Sequence, residues 1–225
     1  MTAVLHVISD RARHRRPLVE AMVESAKGGA QFLQLRDKKA PALETFQLGQ
    51  QVSQQLALYA PKTKLLINDR LDLALALEAC GVHLAAKSLP VHAAVRLRKD
   101  LGWHGVLGCS VHSLEEALTA EEQGADYVTF GHIYSSESHR DLPPKGVYAL
   151  AHLVEALTIP VIAIGGIDAT NIDVVVQTKC SGVAVIGAVL DHEDPQEATR
   201  KLLTRIAQAN IQPKIPFNRY KEVHE

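Results

Sequence analysis

Short β-branched segments alternate with longer segments of helical periodicity along the whole chain, and this alternation constrains the fold more than any other feature. About eight segments are predicted to be strands, as a closed barrel of alternating strands and helices requires. The predicted strands are Val4–Ser9, Phe32–Arg36, Lys64–Asn68, Gly81–Ala85, Val106–Val111, Asp126–Ile133, Pro160–Gly166 and Gly182–Gly187.

The segments between these strands have the periodicity of amphipathic helices. Between Pro17 and Lys27, apolar residues recur at three- and four-residue spacing and therefore share one face. Ser113 and Glu116 have the spacing of a capping box, in which each side chain bonds a backbone amide at a helix start. We expect that helix to end near Gly124.

The apolar run Pro160–Ile164 has no polar alternation, which favours a parallel sheet covered by helices on its outer face. We therefore predict an α/β fold, a single (β/α)8 TIM barrel, in one catalytic domain over residues 1–211. An open, doubly wound sheet is the alternative. The tail at residues 212–225 is rich in proline and charge, and we expect it to pack loosely.

Charge and composition exclude several classes of function. The 24 Lys and Arg and 25 Asp and Glu leave a net charge of -1, so no general positive field is available for nucleic acid or an anionic membrane. No apolar run in the sequence is long enough to cross a membrane, and no secretion signal is recognised. Cys80, Cys109 and Cys180 lie far apart and are expected to be reduced thiols. We expect a cytoplasmic protein.

Glycines follow the last two predicted strands. Gly165 and Gly166 end the seventh strand, and Gly187 with Ala188 ends the eighth. Barrels of this type commonly bind phosphate on backbone amides at these two loops. We predict a phosphate site there, the alternative being glycines that only turn the chain.

Polar side chains end other strands on the same predicted rim. Arg36 and Lys38 lie two residues apart, so both could reach an anionic group. Asn68 and Ser110 are further candidates for substrate binding, whereas Asp69 is expected to cap the helix after it rather than bind a metal.

His132 ends the sixth strand and precedes a long polar loop, Ser135–Gly146. A histidine at that place can exchange protons near neutral pH, so we predict a catalytic role, the alternative being a hydrogen-bonded histidine without one. His83 is predicted to be structural, and no set of residues has metal-ligand spacing.

At these residues the chain resembles the thiamine phosphate synthase superfamily, over roughly Val4 to Ala207. The resemblance implies a barrel that acts on a thiazole phosphate in thiamine biosynthesis, and relatives of this kind are commonly dimers, so we expect a homodimer. The matching motifs are Gln34–Lys38, Asn68–Arg70, Gly81–Leu84, Gly124–Tyr127 and Ala163–Ile167.

The superfamily has two enzymatic branches. Positions at which this sequence differs from the synthase motifs distinguish between them. The synthase joins a pyrimidine diphosphate to thiazole phosphate with magnesium, held partly by the Asp of a Gly-Gln-x-Asp motif. Here that motif is Ala85–Ser88, and Gly131 is followed by His132 where the synthase has proline. These departures are similar to the TenI-like branch, a thiazole tautomerase in which this histidine transfers the proton.

From this resemblance we predict an isomerase, a thiazole tautomerase that needs no cofactor. Its substrate would be a thiazole phosphate carboxylate, with phosphate on the two glycine loops and Arg36 and Lys38 facing the carboxylate. Two alternatives stay open. One is a magnesium-dependent thiamine phosphate synthase, and the other is a non-enzymatic regulator that binds nucleic acid through the basic cluster Arg11–Arg16.

Overall fold

The structure, a computed structural model, describes residues 2–85, 87–136 and 142–217 and contains a closed barrel of parallel strands. Each strand pairs with the next one in the chain, and β8 pairs with β1. The predicted (β/α)8 barrel is confirmed, and the open doubly wound alternative is not. The strands are β1 Val4–Ile8, β2 Phe32–Leu35, β3 Lys64–Asn68, β4 Gly81–Leu84, β5 Val106–Val111, β6 Tyr127–Gly131, β7 Val161–Ile164 and β8 Gly182–Val185.

Helices connect successive strands and cover the outside of the barrel. Pro17 precedes the first helix as its N-cap, and the Ser113 hydroxyl accepts a hydrogen bond from the Glu116 amide 3.1 Å away. The Glu116 carboxylate bonds the amide of His112 at 2.7 Å rather than that of Ser113, so the predicted capping box is displaced by one residue. The helices are α1 Leu18–Lys27, α2 Ala42–Tyr59, α3 Leu71–Ala76, α4 Val91–Asp100, α5 Leu114–Glu122, α6 Gly146–Ala156, α7 Ile172–Val176, α8 Gly187–Leu190 and α9 Pro195–Ala209.

The apolar core has two layers, because alternate residues of each strand point to opposite faces of the sheet. The larger layer lies between the outer face of the barrel and the helices. The smaller layer fills the barrel interior with residues from seven of the eight strands, as expected for a packed barrel rather than a pore. Its buried members are Ile8, Phe32, Leu66, Val106, Tyr127, Ile162 and Ala184.

The C-terminal tail enters this interior layer. Phe217 lies against Phe32 and His6, with ring centroids 5.0 and 5.3 Å away. The Lys214 amide donates to the Lys179 carbonyl at 2.9 Å, which holds the tail beneath the barrel. The described part of the tail is therefore packed, where we expected loose packing.

Two further observations concern the cysteines and the helices. All three cysteines are free thiols, and burial raises the pKa of Cys109 to about 12 and that of Cys180 to about 11. Within the described residues, no helix has both the length and the apolar character needed to cross a membrane.

Candidate functional site

The carboxyl ends of the strands meet at one rim of the barrel, where barrel enzymes place their active sites. The predicted substrate-binding residues lie on this rim, in the loops that follow β2, β7 and β8 and at the ends of β3 and β5. The topology therefore brings to one rim residues that lie up to 152 positions apart in the sequence, from Arg36 to Ala188. They are Arg36, Lys38, Asn68, Ser110, Gly165, Gly166, Gly187 and Ala188.

Arg36 is fixed at the rim by Ser9 and Asp10, which directly follow the first strand. Its amide donates to the Ser9 hydroxyl at 2.7 Å, and that hydroxyl donates to the Arg36 carbonyl at 3.0 Å. Its guanidinium lies 3.3 Å from Asp10 and is one-fifth exposed. Lys38 is exposed and lies farther along the same loop. Arg36 is thus the more ordered of the two predicted anion-binding cations.

The basic cluster Arg11–Arg16 is paired with carboxylates. These ion pairs neutralise the cluster, so it does not supply the unpaired positive surface that binding to phosphate backbones requires. The regulator alternative therefore loses its structural support. The pairs are Arg11 with Asp37 and Glu44, Arg13 with Asp191, Arg15 with Glu193, and Arg16 with Glu20.

Asp37, between the two predicted cations, is held in its ionised form. Burial opposes ionisation, but hydrogen bonds from the amides of Lys39 and Ala40 and the ion pair with Arg11 together keep the pKa of Asp37 below its usual value. The same hydrogen bonds, at 3.2 and 3.0 Å, fold the loop after β2 into a turn.

Asp69 does not cap helix α3, so that prediction is wrong. Its backbone is left-handed, with φ of 62°, and the N-cap of α3 is Arg70 without a side-chain hydrogen bond. The carboxylate instead accepts hydrogen bonds from the backbone amide of Ala85 at 3.0 Å, from the Ser88 hydroxyl and from the side-chain amide of Asn68 at 2.7 Å. Asp69 therefore anchors the loop that follows β4.

The residues around Asp69 do not fit a magnesium ion. Magnesium prefers carboxylate oxygens in near-octahedral geometry. Here one carboxylate uses both of its oxygens for hydrogen bonds within the protein, and the position of the second synthase carboxylate is Ser88, whose hydroxyl donates to Asp69. No group of three or more His, Cys, Asp and Glu side chains in the described part of the chain could hold a metal.

The glycine loops pack closely against the loop that follows β6. Gly165 has φ of 101°, and a side chain there would overlap His132. Gly166 has φ of 65°, and a side chain there would lie 2.5 Å from the Ser135 carbonyl. Glycine is therefore required at both positions by conformation and by close approach. Their role in phosphate binding stays a prediction.

His132 is buried, with 4% of its surface exposed. Its Nε2 lies 3.1 Å from the carbonyl oxygen of Leu142, so the ring ties the end of β6 to the far side of the polar loop. Residues 137–141 of the predicted Ser135–Gly146 loop lie outside the described residues. A histidine with this hydrogen bond holds the loop in place. The geometry therefore favours the alternative given for His132, a hydrogen-bonded histidine without a catalytic role.

Sequence reasoning missed a polar network inside the barrel, directly beneath the rim. His83 Nε2 lies 2.9 Å from the Ser110 hydroxyl, and His83 Nδ1 lies 3.1 Å from the Tyr127 hydroxyl. Thr129 contacts both His83 and Ser110 at 3.3 Å. His83 therefore lies in direct contact with a rim residue. Alternate residues of each strand point into the barrel, so the sequence could identify the members of this network only once the inward-facing set of residues was known.

A cleft of about 430 Å³ lies beside β5, between the start of α4 and helix α5. Ala85, Ser88, Val91 and Glu115 line it. Ser110 is the one predicted substrate-binding residue in its lining, so this cleft does not coincide with the rim site.

Comparisons with known proteins point to one activity. The chain is 39% identical over 198 residues to the thiamine-phosphate synthase of Pyrococcus furiosus, covering 88% of this chain and 92% of that protein. It is 38% identical over 200 residues to the thiamine-phosphate synthase of Clostridium novyi, covering 88% and 96%. A solved thiamine phosphate pyrophosphorylase from Pyrococcus furiosus superposes with a TM-score of 0.82 at 37% identity, covering 92% and 96%.

These relatives contradict the prediction of a thiazole tautomerase. They are named for a synthase, a transferase activity, and not for an isomerase. The isomerase assignment rested on a few departures, at Ala85–Ser88 and at His132, whereas the similarity extends over nearly the whole chain. The buried, hydrogen-bonded position of His132 gives a structural reason for a histidine there.

A family model described as thiamine monophosphate synthase matches residues 5–189, which include seven strands of the barrel completely and β1 from its second residue. The family resemblance inferred from the rim motifs is thereby confirmed. The chain belongs to the thiamine monophosphate synthase family.

Proposed function

We propose that this protein is a thiamine-phosphate synthase, which joins a pyrimidine diphosphate to a thiazole phosphate and releases pyrophosphate. The observation that carries the proposal is the gathering of Arg36, Asn68, Ser110 and the two glycine loops on one rim of a barrel. Relatives of 36–39% identity with the synthase name support the same activity.

The reaction exchanges one bond for another. The bond between the pyrimidine methylene carbon and the diphosphate oxygen breaks, and the thiazole nitrogen forms a bond to that carbon. The leaving diphosphate takes the electron pair of the broken bond. The protein must therefore bind two phosphate-bearing substrates, stabilise negative charge on the leaving group and exclude water.

Arg36 is suited to the leaving group. Its guanidinium can bind phosphate oxygens with two parallel hydrogen bonds, and its contacts with Ser9 and Asp10 fix it in advance of the substrate. Preorganised cations stabilise developing charge without reorganisation during the reaction. Lys38, which is exposed, would supply a second, more mobile charge.

The glycine loops would anchor the phosphate of the thiazole. The left-handed backbone at Gly165 and Gly166 and the helix start at Gly187 and Ala188 are geometries that can direct amides toward an anion. Asn68 and Ser110 would then contact the heterocycles between the two anion sites. A fixed phosphate at one end and a fixed diphosphate at the other align the nitrogen with the carbon that it attacks.

The assay below tests whether the reaction requires magnesium. In the related synthases it would neutralise the diphosphate, but the donor set around Asp69 does not fit it in this chain. The steps described above therefore use only the chain's own residues.

The test is formation of thiamine phosphate from the two substrates, measured by chromatography and mass spectrometry, with pyrophosphate counted separately. It is run with EDTA and with magnesium. We expect one pyrophosphate for each thiamine phosphate and a loss of about 100-fold or more in kcat/KM for Arg36→Ala, since removal of one preorganised donor typically costs that much. The matched control is Arg15→Ala, an exposed arginine outside the proposed site. Product absent under both conditions would refute the proposal.

A further inference from the structure

The polar network inside the barrel suggests a role for residues that the proposed reaction does not use. Tyr127 is fully buried and His83 is 3% exposed, yet their chain of hydrogen bonds reaches Ser110 on the rim. We propose that His83 is a positioning residue that donates its Nε2 proton to the Ser110 hydroxyl oxygen, because the Tyr127 hydroxyl donates to His83 Nδ1 and thereby fixes the tautomer. The substrate contact of Ser110 rests on the function proposed above.

The protonation states of Tyr127 and His83 are compatible with the proposed direction of the chain. Burial raises the pKa of Tyr127 well above 10, so its hydroxyl keeps its proton. Burial also lowers the pKa of His83 to about 4, against the smaller opposing effect of Asp69, so its ring is neutral at pH 7. A neutral imidazole has one donor and one acceptor nitrogen. With Tyr127 as donor, Nδ1 is the acceptor and Nε2 carries the proton.

The proton on Nε2 determines what Ser110 can do. The Ser110 oxygen accepts from His83 at 2.9 Å and from the Thr129 hydroxyl at 3.3 Å, which occupies both of its lone pairs. Its own proton is then free to be donated away from the network. Ser110 would therefore act as a hydrogen-bond donor to the substrate, with an orientation set from beneath.

The strand register explains why this chain forms. His83, Gly108 and Tyr127 occupy one level of the barrel on neighbouring strands, and Ser110 and Thr129 occupy the next level toward the rim. A side chain at Gly108 would overlap the Tyr127 ring. The glycine lets the ring lie against β5, where its hydroxyl reaches His83.

The tautomer can be measured without any assay of activity. Nitrogen-15 NMR of protein labelled in histidine distinguishes protonated from bare ring nitrogens, and a His83→Gln variant identifies the resonances. We expect a bare Nδ1 and a protonated Nε2 at pH 7 in the wild type, and a mixture of tautomers in Tyr127→Phe. A protonated Nδ1 in the wild type would overturn the proposal, whether or not the protein is a synthase.

Kinetics test whether Tyr127 acts through Ser110. We expect Tyr127→Phe to lower kcat/KM about fivefold, the effect of one hydrogen bond, and to have less than about a twofold effect in a Ser110→Ala background. Equal losses in both backgrounds would contradict the proposal. Phe217→Leu is the control for packing, because it alters the contacts of the Tyr127 ring and leaves the hydroxyl in place. It should reduce stability without changing the His83 tautomer.

Discussion

Phe217 packs edge-on against Tyr127, with ring centroids 5.1 Å apart and planes inclined by 73°. The first residue comes from the C-terminal tail and the second from β6, so the tail completes the interior layer of the barrel. Edge-to-face aromatic pairs of this geometry add to the stabilisation from buried area.

This packing predicts that the tail contributes to stability. We expect Phe217→Ala to lower the free energy of unfolding by about 2 kcal/mol, less than the cost for a fully buried phenylalanine because the ring is partly exposed. Urea unfolding measures the change. The matched control is Tyr148→Ala, an aromatic residue that is 90% exposed, for which we expect a change below about 0.5 kcal/mol. Equal effects would show that the tail does not stabilise the barrel.

The interior histidines predict a stability that falls in mild acid. Burial, with a smaller effect of His83, lowers the pKa of His6 to about 3, and burial lowers that of His83 to about 4. Between pH 6.5 and about 4 the unfolded chain therefore binds protons that the folded chain does not, so stability falls as the pH falls. The two residues together give a slope of about 2.7 kcal/mol per pH unit.

Substitution of His6 separates the two contributions. Among the residues that the structure describes, none forms a hydrogen bond with the buried His6 Nε2, so His6→Leu removes a titrating group without breaking a bond at that nitrogen. We expect the slope between pH 6 and 5 to fall by about half in urea unfolding. Leu118→Ala, at an exposed position without a titrating group, is the control and should leave the slope unchanged. A slope that does not respond to His6→Leu would contradict the assignment.

The barrel was predictable from the sequence because the strands and the helices differ in the spacing of their apolar residues. The strand predicted at Asp126–Ile133 forms over Tyr127–Gly131, and the first helix begins one residue after Pro17. The interior network was not predictable, because it depends on the register that places Gly108 beside His83 and Tyr127. Asp69 escaped prediction because its left-handed backbone turns the carboxylate away from the following helix.

The rim could be placed from the sequence, but the reaction could not. Strand ends locate the rim in any parallel barrel, so the rim positions of Arg36, Asn68 and Ser110 were predictable, whereas their contacts with substrate stay predictions. The choice between two related reactions depended on a few side chains, and His132 has a loop-holding contact that its sequence neighbours do not reveal. The boundary at residue 211, the homodimer and the individual substrate contacts stay predictions.

The close approach of Gly165 to His132 predicts a site-specific effect of an added methyl group. Gly165→Ala introduces strain at φ of 101° and an overlap with His132, so we expect a loss of about 3 kcal/mol in stability and weaker binding of thiazole phosphate. Gly102→Ala is a matched control, with φ of 60° and open space around it, and should cost about 1 kcal/mol. Calorimetric titration measures binding. Similar behaviour of the two variants would show that the contact with the β6 loop is unimportant.

The single carboxylate at Asp69 predicts how the protein responds to magnesium. Ser88→Asp places a second carboxylate beside the first and removes the hydroxyl donor, so we expect a lower melting temperature in EDTA. Magnesium should restore about 4 °C in this variant, as binding at tenfold over Kd stabilises a domain of this size by that amount. The wild type should melt at the same temperature in magnesium chloride and in sodium chloride of equal ionic strength. Ser88→Asn, which loses the hydroxyl without adding charge, is the control. A magnesium-specific rise in the wild type would mean that Asp69 exchanges its internal hydrogen bonds for the ion, and the donor set would then have to be reassigned.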